Sequence, residues 1–251
     1  MRTLRLLVTA LAFAATAPVW AAPINVAVAA NLQYTFDDLA KAYKAETGLD
    51  VNPSYGASGK FFAQIGNGAP FHVFLSADAS YPQKLDTAGL TLEPSKVYAH
   101  GTLVLWTLKD LDLKQWEKLV REPAIERIAV ANPETAPYGR AAVQALNHYK
   151  LTEATHSKLV FGESIGQTNQ FISTRAADLG FTAKAIVISA EMQGKGRWLE
   201  IPATAYEPIA QRAALLKYSG DHDTADAKRF YQFLFSPKAQ DIFKQAGYKL
   251  P

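Results

Sequence analysis

The sequence predicts an α/β protein of two lobes, each a mostly parallel sheet flanked by helices, with a cleft between them. Three observations lead there. Short apolar runs alternate with amphipathic runs of helical period, the pattern of parallel strands joined by crossover helices. A strand, a turn of small residues and a helix recur four times, twice in each half of the chain. Two segments, near residues 98–101 and 202–208, read as crossings between the halves. Sheets of this kind take ligands beyond the carboxyl ends of their strands.

The first strand is Ile24 to Asn31, INVAVAAN, ending in small residues and an amide. A helix follows in YTFDDLAKAYKAETG, where Phe36, Leu39, Ala40 and Tyr43 share a face, Asp37 and Asp38 fall in the first turn and Gly48 stops it. The stretch Val51 to Asp78 then reads as strand, small-residue turn, short helix and a second strand, HVFLSAD. YPQKLDTAG is a further helix with a glycine stop. Tyr98 to Leu108 is an apolar run too long for one lobe's strand, so it crosses. Leu113 to Arg121 predicts an amphipathic helix. Strand, turn and helix recur in IAVANPETAPYGRAAVQALNHY and in KLVFGESIGQTNQFIS. A strand at Leu179 to Thr182, a helix in AKAIVISAEM, a proline-bearing linker over Ile201 to Pro208 and a strand in IAQRAALLKY come next. Two helices close the chain, the last opened by Ser236 as N-cap. The expected division is a leader over 1–21, one lobe from 22–100 plus 208–251, and the other from 101–207.

Composition narrows the function. Of 251 residues, 49% are apolar and 20% charged, which is globular composition. Residues 1–21 carry Arg2 and Arg5, an uncharged run from Leu6 to Ala17, Pro18, and small residues Val19 and Ala21 before a cut. That is a cleavable export signal rather than a membrane anchor, because the apolar run is too short to span a bilayer. Without Arg2 and Arg5 the chain has 24 basic and 23 acidic residues, a charge of +1 with no footprint for nucleic acid. There is no cysteine, which excludes disulfides, thiolate nucleophiles and a lipidated N-terminal cysteine.

The four turns are Ala29-Ala30-Asn31, Gly56-Ala57-Ser58-Gly59, Ala136-Pro137-Tyr138-Gly139 and Glu163-Ser164-Ile165-Gly166. Each places the unsatisfied N–H groups and positive dipole end of a helix where an anion can meet them. Asn31 adds an amide and Ser58 a hydroxyl; Tyr138 and Ile165 offer backbone N–H. Taken singly, Ser58 and Asn31 also fit as helix caps, Pro137-Tyr138-Gly139 as a plain turn and Ile165 as core. Lys60 and Arg140 stand close by. Neutral, fixed donors of this kind suit a dehydrated oxyanion and discriminate by size, since backbone cannot follow a smaller ion inward. Other chemistry is weaker. The GASG of 56–59 lacks the spacing of a serine-hydrolase elbow, the five histidines are scattered, and no phosphate-loop motif occurs.

At these turns the chain resembles the periplasmic molybdate-binding proteins of ABC transporters. The resemblance rests on VAVAANL, SYGASGKFFAQIGNGAPFHVFLSAD, GTLVLWTL, ANPETAPYGRAA, ESIGQTNQF, AADLGFTA and SPKAQDIFKQAGYKLP, and spans residues 24–251. It implies a type II periplasmic-binding-protein fold, a non-catalytic receptor that closes on molybdate or tungstate, and delivery to a membrane permease. It carries ligand roles to Asn31 (backbone and side chain), Ser58 (hydroxyl), Tyr138 and Ile165 (backbone), with Ala30 as a further backbone donor. The metal would be reached only through its oxygens, and no other cofactor is implied. A branch of the family has a tyrosine ligand where this chain has Ala183. The expected protein is a periplasmic monomer. The alternatives are a receptor for sulfate or phosphate, and a secreted serine hydrolase using Ser58 with a histidine and Asp78.

Overall fold

The computed structural model describes residues 23–221 and 224–251. The expected leader over 1–21 and His222 lie outside the described residues. In chain order the elements are β1 (Ile24–Ala29), a 3-10 turn (Ala30–Leu32) running into α1 (Gln33–Thr47), β2 (Val51–Gly56), α2 (Ser58–Gly66), β3 (Val73–Ser76), α3 (Ser80–Thr87), β4 (Lys96–Gly101) and β5 (Leu103–Thr107). There follow α4 (Trp116–Leu119), β6 (Ile128–Ala131), α5 (Pro137–His148), α6 (Thr152–Thr155), β7 (Leu159–Gly162), α7 (Ile165–Ser173), β8 (Leu179–Ala183), α8 (Lys184–Val187) and β9 (Arg197–Glu200). The chain ends with β10 (Ile209–Leu215), α9 (Tyr218–Asp221), α10 (Thr224–Phe233) and α11 (Pro237–Gln245).

Two five-stranded sheets result, ordered β2-β1-β3-β10-β4 and β7-β6-β8-β5-β9. β1 pairs parallel with β2 and β3, and β6 parallel with β7 and β8. β10 runs antiparallel to β3 and β4, and β5 antiparallel to β8 and β9. Each sheet is therefore mixed, with one reversed strand in the fourth position. The reversed strand is in both cases the one the chain enters on crossing from the other sheet: β5 follows β4 across Thr102, and β10 follows β9 across 201–208. The long apolar run of Tyr98 to Leu108 is thus two strands in different sheets.

The inner strands are rich in apolar residues on both faces because helices cover both faces. β3, β5, β6 and β8 are buried at every position. Gly48 closes α1 in the left-handed region, at φ 74°, where a side chain would be strained. Ser236 caps α11 by accepting from the Ala239 N–H at 3.2 Å, with Pro237 at the first helical position.

Several elements differ from the sequence reading. α1 starts at Gln33, so Asp37 and Asp38 lie beyond its first turn. The helix expected over Leu113 to Arg121 contracts to a 3-10 turn and the four residues of α4, and that in AKAIVISAEM to α8. β9 carries no strand signal because it is a largely exposed edge, held by backbone pairing to β5 rather than by apolar alternation. Among the described residues no helix is long and apolar enough to cross a membrane.

One buried carboxylate holds the second sheet's margin. Asp178 accepts from the N–H groups of Glu126 and Arg127 at 2.7 and 2.8 Å and pairs with Lys109. Burial works against its charge, but the Lys109 ammonium and the two N–H groups hold the carboxyl below its ordinary value. A depressed folded-state pKa contributes stability above the unfolded value of about 3.9 and loses it as pH falls through the folded one. Asp178→Asn is expected to cost about 1–3 kcal/mol at neutral pH and less in acid. Urea melts at pH 7 and pH 3 check this.

Candidate functional site

The carboxyl ends of β1, β2, β3, β6 and β7 converge between the two sheets, and a small hollow lies where they meet. Its wall is Ala29, Ala30, Asn31, Gly56, Ala57, Ser58, Ala77, Ala136, Pro137, Tyr138 and Ile165. All five residues singled out in the sequence, Ala30, Asn31, Ser58, Tyr138 and Ile165, line it, and none is more than 5% exposed. Ala183 does not. A larger hollow lies between α1, α8 and α11, but it holds none of these five residues.

The wall has no charged side chain, and its alanines are too short to keep a ligand from the backbone. Ser58 is the first residue of α2, Pro137 and Tyr138 open α5, Ile165 opens α7, and Asn31 sits in the 3-10 turn that leads into α1. First-turn N–H groups have no acceptor in their own helix. Those of Asn31, Ser58, Tyr138 and Ile165 donate to no turn, loop or cap carbonyl among the described residues either. Four helix starts thus present free donors and positive dipole ends to one small space.

Ser58 is not the N-cap of its helix; that position is Ala57. Its Oγ accepts from the Ala77 N–H at 3.0 Å. With a lone pair so used, its proton is left to donate. Ala77 was missed in the sequence because an alanine after a strand carries no signal of its own. Among the described residues the serine hydrogen-bonds to no base: Asp78 accepts from Ser76 and Ser80 hydroxyls at 2.9 and 2.8 Å and pairs with Arg140.

Asn31 behaves differently from Ser58. Its Nδ2 donates to Gln211 Oε1 and to the Tyr248 hydroxyl, each at 3.0 Å, so both amide protons are spent inside the protein. Its Oδ1 is buried with no hydrogen-bond partner among the described residues. Tyr248 in turn donates to the Asn31 carbonyl at 3.1 Å. Gln211 Nε2 donates to the Tyr138 hydroxyl at 3.2 Å, and Tyr98 donates to Gln211 Oε1 at 2.9 Å. Burial drives the hydroxyls of Tyr98, Tyr138 and Tyr248 upward from their ordinary values, so they stay neutral. The floor of the site is therefore a hydrogen-bonded but uncharged layer. A sequence signal for it existed: Gln211 is a polar residue on the buried face of β10, between Ile209 and Ala213.

The cations near the turns are taken up across the cleft. Lys60 pairs with Glu163 and Arg140 with Asp78, each pair joining the first sheet's side to the second's. The Gly59 N–H donates to Thr135 O and the Tyr81 hydroxyl to Glu134 O, both at 2.9 Å. The structure is a closed form, with its charges neutralised at the rim. Among the described residues no group of three or more His, Asp or Glu side chains is arranged to hold a metal ion.

Residues 24–249 match the family of bacterial extracellular solute-binding proteins. The chain is 43% identical to the molybdate-binding protein ModA of Azotobacter vinelandii over 232 residues, 92% of this chain and 91% of that one. It is 39% identical to the molybdate-binding protein ModA of Rhodobacter capsulatus over 98% of this chain and 97% of that one. A solved structure of a periplasmic molybdate-binding protein of Azotobacter vinelandii superposes with a TM-score of 0.86 at 39% identity, covering 91% of this chain and 99% of that one. These relatives are solute-binding proteins rather than enzymes. The chain belongs to the bacterial extracellular solute-binding protein family, in the branch that holds the ModA proteins of Azotobacter vinelandii and Rhodobacter capsulatus.

Proposed function

We propose that the protein is a periplasmic receptor that takes up molybdate, and tungstate with it, and delivers the ion to an ABC transporter's membrane permease. The observation that carries this reading is the uncharged cavity into which four helix starts bring unpaired N–H groups. A tetrahedral dianion stripped of water needs many donors and no counter-ion. Here the backbone N–H groups of Ala30, Asn31, Ser58, Tyr138 and Ile165, with the Ser58 hydroxyl, would supply them, and the metal would be touched only through its oxygens. Each helix start contributes about 0.3–1 kcal/mol at an exposed site and up to ~2 kcal/mol when partly buried. The sequence relatives support molybdate over other oxyanions. The role is binding, not catalysis: Ser58 has a backbone N–H rather than a base for a partner. Export by residues 1–21 and function as a monomer belong to the same reading.

A closed cavity implies that the lobes part to admit the ion and close on it, as hinged receptors do. Thermal unfolding with molybdate, tungstate, sulfate or phosphate tests the assignment. A ligand at ~1,000 times its dissociation constant adds about 4 kcal/mol, which raises Tm by roughly 8–16 °C in a chain of this size. Molybdate and tungstate are expected to give the large shift and phosphate none. A shift with sulfate and none with molybdate overturns the assignment.

A further inference from the structure

We infer that Gln211 is a positioning residue of the cavity, setting the donors that Asn31 and Tyr138 present from opposite sides of it. The inference rests on the oxyanion reading above. Gln211 is not itself one of the residues that line the cavity; it is fully buried on β10, behind the wall. Its one amide nevertheless binds both residues: Oε1 accepts from Asn31 Nδ2 at 3.0 Å and Nε2 donates to the Tyr138 hydroxyl at 3.2 Å. Asn31 belongs to the first sheet's side and Tyr138 to the second's, so the amide is a strut across the closed cleft.

The fold makes room for that strut. β10 has a register irregularity against β4 between Gln211 and Arg212, the kind of break that re-aims a side chain. Two residues along the ladder, opposite Ile209, stands Gly101, where a Cβ would lie 2.1 Å from the Tyr138 hydroxyl and 2.7 Å from Gln211 Nε2. The missing Cβ is the space in which the two side chains meet.

Gln211 also governs which end of the Asn31 amide is free. As arranged, Asn31 Oδ1 is the unpartnered end, an acceptor that repels a deprotonated oxyanion. If both amides turn over, Gln211 Nε2 donates to Asn31 Oδ1, Tyr138 donates to Gln211 Oε1, and Tyr98 donates to Ser76 O, which is already 3.2 Å away. Asn31 Nδ2 is then released as a donor. In both settings the connection runs through Gln211, and only a side chain with a donor and an acceptor serves both.

Titration of wild type, Gln211→Met, Gln211→Glu and Tyr138→Phe with molybdate, tungstate, sulfate and phosphate between pH 5 and pH 8 tests this. For whichever ion the wild type takes up best, Gln211→Met is expected to weaken binding at least ~10-fold and to narrow the preference over the other ions. Tyr138→Phe keeps its backbone N–H and should weaken binding about 2–10-fold. In Gln211→Glu the introduced carboxyl is neutral in acid and an acceptor-only anion above its pKa. Binding should then fall with rising pH by up to about tenfold per unit, while the wild type, whose site has no titrating group, changes little. Ligand-free melting curves report folding separately. A wild type that prefers sulfate ends the molybdate assignment and leaves the role of Gln211 standing if the variants behave as stated. Unchanged affinity and selectivity in folded Gln211→Met, or a flat pH profile in Gln211→Glu, overturns it.

Discussion

Gly139→Ala is expected to give the largest loss of any single substitution near the cavity, in stability and in ligand binding together. A Cβ at this position would stand 2.1 Å from the Ala131 carbonyl oxygen and 2.7 Å from its carbon. Those atoms are backbone at the end of β6, so no rotamer change relieves the clash. The start of α5 must move away from the strand. Overpacking costs about 1–3 kcal/mol and occasionally more; the upper end applies where backbone has to yield. Tyr138 immediately precedes Gly139, so its N–H is carried off with the helix. Loss of one hydrogen bond to a charged ligand costs about 1.5–3 kcal/mol, roughly 10–150-fold in affinity. Gly166→Ala is the control. The nearest atoms to its Cβ are at 3.5 and 3.6 Å, ordinary contact, and α7 should be no less stable for it. Thermal melts and molybdate titrations of the two variants check the pair. Equal behaviour would mean that α5 tolerates displacement.

Ser58→Ala is expected to lower affinity for molybdate by roughly 10–150-fold, the worth of a hydrogen bond to a charged group. It should also destabilise the ligand-free protein. The Ser58 oxygen is the acceptor for the Ala77 N–H, and a buried donor left without an acceptor costs about 1–3 kcal/mol. The two effects are separable: calorimetric titration reads the first and denaturant melts without ligand read the second. If stability falls and affinity does not, the serine serves only to tie the end of β3 to the start of α2. The helix itself should be unaffected, since its N-cap is Ala57.

Much of the fold was legible because strand-turn-helix units are local. The short β-strand run of VFLS and the Gly48 stop of α1 depend on residues only a few positions away. For the same reason the turns carrying Ala30, Asn31, Ser58, Tyr138 and Ile165 stood out, and all five come to one cavity. What failed was also physical. β9 is an exposed edge strand whose order comes from β5, and the reversed strand in each sheet follows from the crossings rather than from any periodicity. Ser58 resembled a cap because serine beside a helix start usually is one; its actual partner was the Ala77 N–H, just past the end of β3.

The sequence by itself determined the alternation of strands and helices, the two-lobed plan and the neutral donors, Asn31 and Ser58, offered at the turns. Tertiary structure alone decided the rest of the site. It placed Lys60 against Glu163 and Arg140 against Asp78, so that nearby cations neutralise partners across the cleft instead of facing the cavity. It also built the floor, joining Tyr138 to Gln211 over 73 residues of chain and Asn31 to Tyr248 over 217. The reason is one of range. Periodicity, caps and breakers act within a turn or two of chain, whereas the partner of a buried polar group is whichever donor or acceptor packing brings within about 3 Å.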